Sequence, residues 1–233
     1  MSTFLSVLKQ AAFLVLALTS SAVLAAAGTV THLSGTLSVQ RPDGSVRILS
    51  QKSEVNPGDL LTTQRDSYAQ IAYTDGSSMT MRPNTQIRID QYTFVQDRPQ
   101  EDNSFLRLIK GGLRTVTGLV GKRGNQDAYK IGTNTATIGI RGSSGQSLLD
   151  DDNGTTAHET YSGSYIMELL KDGSPTGIFL EIPEGRLART TLDGRVEFTT
   201  DQLLQERMRQ EPIFRISGIA TKGDSSTAEC VAR

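Results

Sequence analysis

The sequence predicts a mostly β protein, a sandwich or a barrel, with one short helix near its C-terminus. Runs of alternating apolar and polar residues are separated by turn residues about every ten positions, a spacing typical of these folds. The chain has 22 glycines and no tryptophan in 233 residues. Only residues 201–210 place apolar side chains at helical spacing, at Leu203, Leu204 and Met208, with Thr200 as the predicted N-cap.

Each predicted strand ends at residues that favour turns. Asp75-Gly76, Asp172-Gly173 and Asp193-Gly194 are dipeptides typical of tight hairpins. Gly111-Gly112 is also predicted to turn the chain. The strands between the turns are predicted at residues 29–39, 46–49, 60–63, 67–73, 78–81, 87–89, 105–109, 113–120, 129–140, 164–170, 177–182, 186–191 and 195–199.

Residues 1–27 are predicted to be a secretory signal peptide. Lys9 precedes an apolar block at residues 11–18, and residues 25–27 are the small alanines that a signal peptidase requires. An uncleaved anchor is the alternative, although the segment is short for a hydrocarbon core of about 30 Å. The protein is therefore predicted to be periplasmic, or secreted, with no transmembrane segment after cleavage.

The length and composition of the chain limit the classes of function. The exported part is predicted to comprise one β domain at residues 28–199, followed by a helix and tail at residues 200–233. Loss of Lys9 leaves 23 basic and 25 acidic residues, a net charge of −2, which is unlike the basic face of a nucleic-acid-binding protein. The single cysteine, Cys230, excludes a disulfide within the chain, so that a free thiol and a bond to another chain both remain open.

The side chains that carry catalysis or bind metals form no recognisable motif. His32 and His158 lie near the ends of predicted strands, without the several ligands that a metal site requires. No serine lies in the glycine pattern of a nucleophile elbow. We therefore predict no catalytic residue, no metal and no cofactor.

Two polar loops are weaker candidates for binding sites. Residues 150–154 are rich in aspartate, but Gly154 occupies the third ligand position of a calcium loop, so a solvated turn is favoured. Lys122 and Arg123, with Arg114, make a small basic spot that suits an anion, although a solvated loop is again favoured.

Several motifs that follow one another along the chain resemble a known family. They are PGDLLTT at residues 57–63, SYAQIAYTDGS at 67–77, MRPNTQIRI at 81–89, LIKGGLR at 108–114 and KIGTNTATIGIRGS at 130–143. In this order and spacing they closely resemble the FecR domain of bacterial envelope proteins. The motifs cover about residues 55–147, and looser similarity extends over about residues 28–199.

The resemblance implies a jelly-roll-like β-sandwich in the periplasm, with no catalytic residues. It also implies that several positions make the fold; these are Asp75, Gly76, Gly112, Arg141, Gly142 and Ser143. Arg141 is expected to clamp a strand end, because a guanidinium offers five donors. Ser143 stands where the family usually has threonine, and it keeps the hydroxyl group.

Three functions remain open at this point. The first is a binding or scaffolding module whose partner is an envelope protein or a cell-wall glycan. The second is a signalling regulator related to FecR-type control of sigma factors, although ten residues before the apolar block are too few for the cytoplasmic arm of that family. The third is a glycan hydrolase, which needs two facing carboxylates about 5–10 Å apart. The helix at residues 201–210 is expected to dock on its own sandwich rather than on a partner.

Overall fold

The computed structural model describes residues 26–125, 127–150 and 154–209. The strands of the first half are β1 (Gly28–Ser34), β2 (Leu37–Gln40), β3 (Val46–Leu49), β4 (Glu54–Val55), β5 (Leu60–Thr63), β6 (Tyr68–Tyr73), β7 (Ser78–Met81), β8 (Gln86–Thr93) and β9 (Asn103–Val116), with a 3₁₀ turn at Pro99–Glu101. The later elements are β10 (Tyr129–Gly132), β11 (Ala136–Leu149), β12 (Thr156–Lys171), β13 (Ser174–Pro183), β14 (Leu187–Thr190), β15 (Val196–Phe198) and the helix α1 (Gln202–Arg209). The predicted fold class, mostly β with one short C-terminal helix, is confirmed.

The strands form one continuous hydrogen-bonded sheet that folds over into two layers. The first layer has the order β4-β1-β6-β7-β9-β11-β12-β14-β15. The second layer has the order β3-β2-β5-β8-β9-β10-β11-β12-β13. The long strands β9, β11 and β12 occur in both orders, so each of them passes from one layer to the other.

Glycines lie where the three long strands change layer. Strand β9 pairs with β8 up to Lys110 and with β11 from Gly111 onward. Strands β11 and β12 pair with each other on both sides of an irregularity that contains Gly142 and Gly163. The φ angles of Gly111, Gly142 and Gly163 are +79°, +64° and +74°. Because glycine adopts positive φ at little cost, each strand bends without ending.

These bends correct several of the predicted strand boundaries. The predicted turn at Gly111-Gly112 is wrong, because β9 runs through both residues. A Cβ atom on Gly112 would lie 3.0 Å from Cδ1 of Leu148 and 3.1 Å from the carbonyl oxygen of Ser147. Gly112 therefore allows β9 and β11 to approach closely. Strand β11 likewise continues past the predicted end at residue 140, since a glycine inside a bent strand has the same sequence signature as a turn.

The core between the layers follows from the alternation of side chains along the strands. On β6, Ala69, Ile71 and Tyr73 are buried, while the residues between them are partly exposed. Met79 and Met81 on β7 are buried beside them. A period of two is that of a strand with one face in the core. Full burial of each large aliphatic side chain contributes roughly 1.5–3 kcal/mol to stability.

The helix α1 docks on the outer face of the first layer, as expected. Met208 is fully buried and packs with Leu148. The Arg82 guanidinium donates to the carbonyl oxygen of Arg207 at 2.7 Å, and Nε2 of Gln146 donates to that of Met208 at 2.5 Å. These bonds satisfy carbonyl groups that the last turn of a helix leaves without an internal partner.

The predicted N-cap of this helix is wrong by one residue. Oδ1 of Asp201 accepts hydrogen bonds from the backbone N–H groups of Leu203 at 3.0 Å and Leu204 at 3.2 Å. A carboxylate is well suited to this position because it also lies at the positive end of the helix dipole. Thr200 therefore precedes the cap.

Parts of the chain that carry earlier predictions lie outside the described residues. They are residues 1–25 of the leader, residues 151–153 of the acidic loop, the side chain of Ser143, and residues 210–233 with Cys230. Among the residues that are described, no helix is both long enough and apolar enough to cross a bilayer.

Candidate functional site

An open groove of about 580 Å³ crosses the outer face of the second layer. Its floor follows from strand register. Phe105 on β9 pairs with Gln91 on β8 and with Lys130 on β10, and Thr137 on β11 pairs with Glu168 on β12. The neighbours of these residues along each strand, such as Leu106 and Ile131, point into the core. The groove residues therefore face outward together, although they are distant in sequence.

Phe105 provides the apolar part of the groove floor. A Cβ atom on Gly132 would lie 2.9 Å from ring atoms Cε2 and Cζ of Phe105, so the ring lies directly against the bare backbone of β10. The guanidinium of Arg107 lies 5.6 Å from the ring centroid and is paired with Asp90 at 2.6 Å. The ring is thereby held in place while part of it remains exposed.

The rest of the groove is lined by hydrogen-bonding groups of every kind. Besides Phe105, the lining includes the amides of Gln91, Asn103 and Asn125, the carboxylates of Glu101, Asp127 and Glu168, the ammonium of Lys130 and the hydroxyl of Thr137. Amides and hydroxyls both donate and accept, carboxylates accept, and lysine donates. The arrangement thus suits a neutral ligand rich in hydroxyl groups better than a highly charged one.

Asp75, a predicted fold-making residue, joins a hairpin to a distant loop. Its Oδ1 accepts from the Ser77 backbone N–H at 3.0 Å and from the Tyr92 hydroxyl at 3.2 Å. Its Oδ2 accepts from the Val120 backbone N–H at 3.1 Å, and its carbonyl accepts from the N–H of Leu119 at 2.9 Å. The side chain therefore stabilises more than the local turn between β6 and β7.

Gly118 is a fold-making residue that the sequence reasoning missed. A Cβ atom there would lie 2.5 Å from the carbonyl oxygen of Asp75 and 2.3 Å from the nitrogen of Ser77. Gly76, by contrast, has a φ of +82° but no atom within 4 Å of an added Cβ atom. Gly76 is thus required by the turn, and Gly118 by the contact between turn and loop.

The predicted clamp at Arg141 is wrong, and Arg123 has that role. The side chain of Arg141 is exposed and makes no hydrogen bond or ion pair with the described residues. Arg123 donates to the carbonyl oxygens of Val95 at 2.9 Å and Gln96 at 2.7 Å, and it pairs with the buried carboxylate of Asp102 at 3.0 Å. These contacts fasten the β8–β9 connection to the loop after β9.

The predicted basic spot is also rearranged by the fold. The Arg114 guanidinium lies over the ring of Tyr161, 5.1 Å from its centroid, and not beside Lys122. Arg123 is neutralised by Asp102. The cation that joins Lys122 is Arg141, since both line one depression at the end of the sandwich.

Comparison with known proteins identifies the domain. Residues 59–164 match the family model described as FecR protein. This match confirms the resemblance of these residues to the FecR domain. The FecR family is associated with the cell envelope and is generally non-enzymatic. A search of curated proteins finds no significant match.

Solved structures resemble this FecR domain protein only distantly. Two structures of a proposed anti-sigma factor from Parabacteroides distasonis align with a TM-score of 0.46 and 10% identity, over 60% of this chain and 58% of theirs. The aligned part is thus less than two thirds of the length of that protein. A structure described as a cell surface anchoring domain aligns over 26% of this chain and 80% of its own, with a TM-score of 0.26 and 26% identity.

A network of threonines explains part of one FecR motif. The hydroxyl of Thr156 on β12 lies 2.7 Å from that of Thr133 and 2.8 Å from that of Thr135. The Thr190 hydroxyl on β14 donates to Thr135 at 3.2 Å and accepts from the Thr156 backbone N–H at 2.8 Å. Hydroxyls can donate and accept at once, so four side chains satisfy one another. The motif around residue 134 therefore joins the loop between β10 and β11 to two later strands.

His158, considered above as a catalytic candidate, is a buried structural residue of the FecR domain. It is fully buried, and its Nδ1 lies 2.9 Å from Oγ of Ser147. Its ring centroid is 4.0 Å from that of Tyr165. Desolvation lowers the pKa of His158 from 6.5 to about 3, so the ring stays neutral at ordinary pH. The described residues also contain no group of three or more His, Cys, Asp and Glu side chains suited to a metal ion.

Burial of His158 makes stability depend on pH in a defined direction. The unfolded chain takes up a proton below about pH 6.5, whereas the folded chain does so only near pH 3. Stability is therefore complete above pH 6.5 and falls by about 1.4 kcal/mol per pH unit as the pH decreases between these values. At pH 4.5 the expected loss is about 2–3 kcal/mol.

Urea unfolding at pH 7.5 and pH 4.5 measures this effect. His158→Asn keeps an acceptor near Ser147 but cannot be protonated, so its stability is expected to change less between the two pH values than that of the wild type. His32→Asn, which removes the other histidine, serves as the control. An equal loss on acidification in the wild type and in His158→Asn would exclude the buried ring as the cause.

Proposed function

We propose that this FecR domain protein is a periplasmic, non-enzymatic binding module that holds a cell-wall glycan in the groove of its second layer. The observation that carries the proposal is the combination of a seated aromatic ring with surrounding amides, carboxylates and a hydroxyl. A sugar ring has an apolar face for Phe105 and hydroxyl groups for the polar lining. Double-sheet jelly rolls, which include lectin domains, offer such faces.

The position of the groove favours recognition by side chains over pairing with a peptide strand. Its floor is formed by β9, β10 and β11, which have hydrogen-bonded neighbours on both sides. A peptide that binds by strand addition needs a free sheet edge with unpaired backbone groups. The groove instead offers an open surface across several strands, which suits an extended polymer that is read through its hydroxyl groups.

Two of the carboxylates that line the groove are engaged in ion pairs, which leaves Asp127 and Glu168 as the described carboxylates available for hydrolysis. Glu101 pairs with Arg98 at 2.6 Å, and Asp102 pairs with Arg123 at 3.0 Å. A glycosidase requires an acid and a partner carboxylate that face the scissile bond. The general absence of enzymes from the FecR family also supports binding without turnover.

Co-sedimentation with purified cell-wall sacculi tests this function. The full-length protein, exported with its own leader, is expected to bind, and Phe105→Ala is expected to weaken binding about tenfold, equivalent to about 1.4 kcal/mol. Phe198→Ala, which removes a partly exposed aromatic ring from the first layer, is the matched control and is expected to bind normally. Equal binding by all three proteins would contradict the groove as the glycan site, and release of soluble sugar would contradict a non-enzymatic role.

A second candidate function is envelope signalling, which the match of residues 59–164 to the FecR family model supports. Photo-crosslinking in living cells separates the two functions. A crosslinker at Thr137 lies in the groove, whereas one at Arg47 on β3 lies away from it. Glycan attached only at Thr137 would support the binding module, and recovery of an outer-membrane receptor would support signalling instead.

A further inference from the structure

We propose a phosphate-binding site in the depression where β11 bends between the layers. This depression, called the basic depression below, has a volume of about 430 Å³ and is lined by Gly121, Lys122, Arg123, Gly124, Arg141 and Gly142. It is separate from the groove and independent of the proposed glycan function. Of the described residues that line it, three are cations, three are glycines and none is acidic.

The two free charges of the basic depression are Lys122 and Arg141. The charge of Arg123 is neutralised by the buried carboxylate of Asp102, and its remaining N–H groups donate to two carbonyl oxygens. Within the part of the chain that the structure describes, the side chains of Lys122 and Arg141 are exposed, and neither side chain makes a hydrogen bond or an ion pair. Two like charges therefore share one concave site on a chain whose overall charge is slightly negative. A bound anion would relieve their repulsion.

The backbone of the basic depression is held in place on both sides. The N–H of Val120 is bonded to Asp75, and Arg123 is fastened to Asp102, so Lys122 lies between two fixed points. The N–H of Lys122 donates to the carbonyl oxygen of Leu119 at 3.0 Å, which closes the turn. Such preorganisation lowers the entropy that binding would cost.

Gly142 makes room for a ligand beside these cations. An added Cβ atom on Gly142 would lie 3.5 Å from Cγ of Lys122, so a larger side chain there would fill the space next to the lysine stem. Gly124 has a φ of +66°, and an added Cβ atom there would lie 2.2 Å from the carbonyl oxygen of Pro99, so the packing of its loop requires this glycine. Gly142 leaves bare backbone beside Lys122, which allows a small ligand to approach closely.

The chemistry of the two cations favours phosphate. A guanidinium offers two parallel N–H donors to two oxygens of one oxyanion, and an ammonium adds a point charge to a third oxygen. A phosphate group carries up to two negative charges and presents enough oxygens for both side chains. The phosphate is either inorganic phosphate or the headgroup of a phospholipid, which offers the same oxygens.

NMR titration with inorganic phosphate at constant ionic strength tests the site. The backbone amide signals of Lys122, Gly124 and Gly142 are expected to shift, with a dissociation constant of about 1 mM, as expected for a few charge-assisted bonds at an open site. The double variant Lys122→Gln, Arg141→Gln is expected to weaken binding at least tenfold. Arg47→Gln removes an exposed arginine from β3 and is the matched control.

Both side chains are exposed, so the double variant is expected to fold, and unchanged thermal unfolding verifies this. Sedimentation with vesicles of phosphatidylglycerol or phosphatidylcholine then distinguishes the source of the phosphate. If the protein binds phosphatidylglycerol vesicles and free phosphate competes with that binding, the ligand is a lipid headgroup. If the amide signals shift with free phosphate and no vesicles are bound, the ligand is the soluble ion. The proposal would be overturned if phosphate shifted the amide signals equally in the double variant and the wild type, or if chloride shifted them as much as phosphate. It would also be overturned if neither phosphate nor either kind of vesicle bound the protein.

Discussion

Replacing Asp75 by alanine is expected to lower the free energy of unfolding by about 3–5 kcal/mol, one of the largest effects of any single substitution in this domain. The change leaves the backbone N–H groups of Ser77 and Val120 and the hydroxyl of Ser77 without their acceptor. Each buried donor that loses its partner costs about 1–3 kcal/mol. Urea unfolding at pH 7.5 measures the loss.

A second aspartate offers a matched control for this prediction. Oδ1 of Asp43 accepts from the Ser45 backbone N–H at 2.8 Å in the turn between β2 and β3, so it has the same local role as Asp75. Asp43 is exposed and makes no contact with a distant loop in the described residues. Asp43→Ala is therefore expected to have a much smaller effect. Equal losses in the two variants would show that the contact with Val120 adds nothing to the turn.

Gly111→Ala is expected to destabilise the domain by about 4 kcal/mol or more, since it combines backbone strain with a steric clash. A residue other than glycine at the positive φ of position 111 costs about 1–2 kcal/mol. The added Cβ atom would also lie 2.8 Å from the carbonyl oxygen of Asn84 and 2.9 Å from Cα of Thr85. These are backbone atoms, so β9 must shift. That shift would strain the bonds of 3.0 Å that join the Thr85 hydroxyl to the backbone of Gly112.

Gly142→Ala separates the cost of backbone strain from the cost of the steric clash. Gly142 also has positive φ and lies at a bend of a long strand, but an added Cβ atom would make only ordinary contacts, with Cγ of Lys122 at 3.5 Å and the carbonyl oxygen of Gly121 at 3.8 Å. Its expected cost is therefore that of strain alone, about 1–2 kcal/mol. Thermal unfolding of both variants measures the difference. Similar melting temperatures would mean that crowding at position 111 is relieved without cost.

The comparison of Arg141 with Arg123 illustrates what a linear sequence leaves open. Both arginines lie in loops or strand bends near glycines, and either is able to clamp a carbonyl group. The choice depends on which loop packs against Asp102, a contact between residues 21 positions apart that arises only after β9 has paired with β8 and β10. The partner of Arg114 is likewise set by strand pairing, because its guanidinium packs on Tyr161 of a neighbouring strand segment in the first layer.

The alternation of apolar residues and the Asp-Gly turns were sufficient to predict most of the strands, the mostly β class and the C-terminal helix, because these features depend on neighbours in the chain. The positive φ of Gly76 is also a local feature, which the Asp-Gly dipeptide predicts. The tertiary structure alone decided that β9, β11 and β12 bend at glycines instead of ending there. It also brought Gln91, Phe105 and Glu168 into one groove and placed Lys122 beside Arg141. The physical reason is that both sites depend on strand register and loop packing, which are set by contacts between residues far apart in sequence.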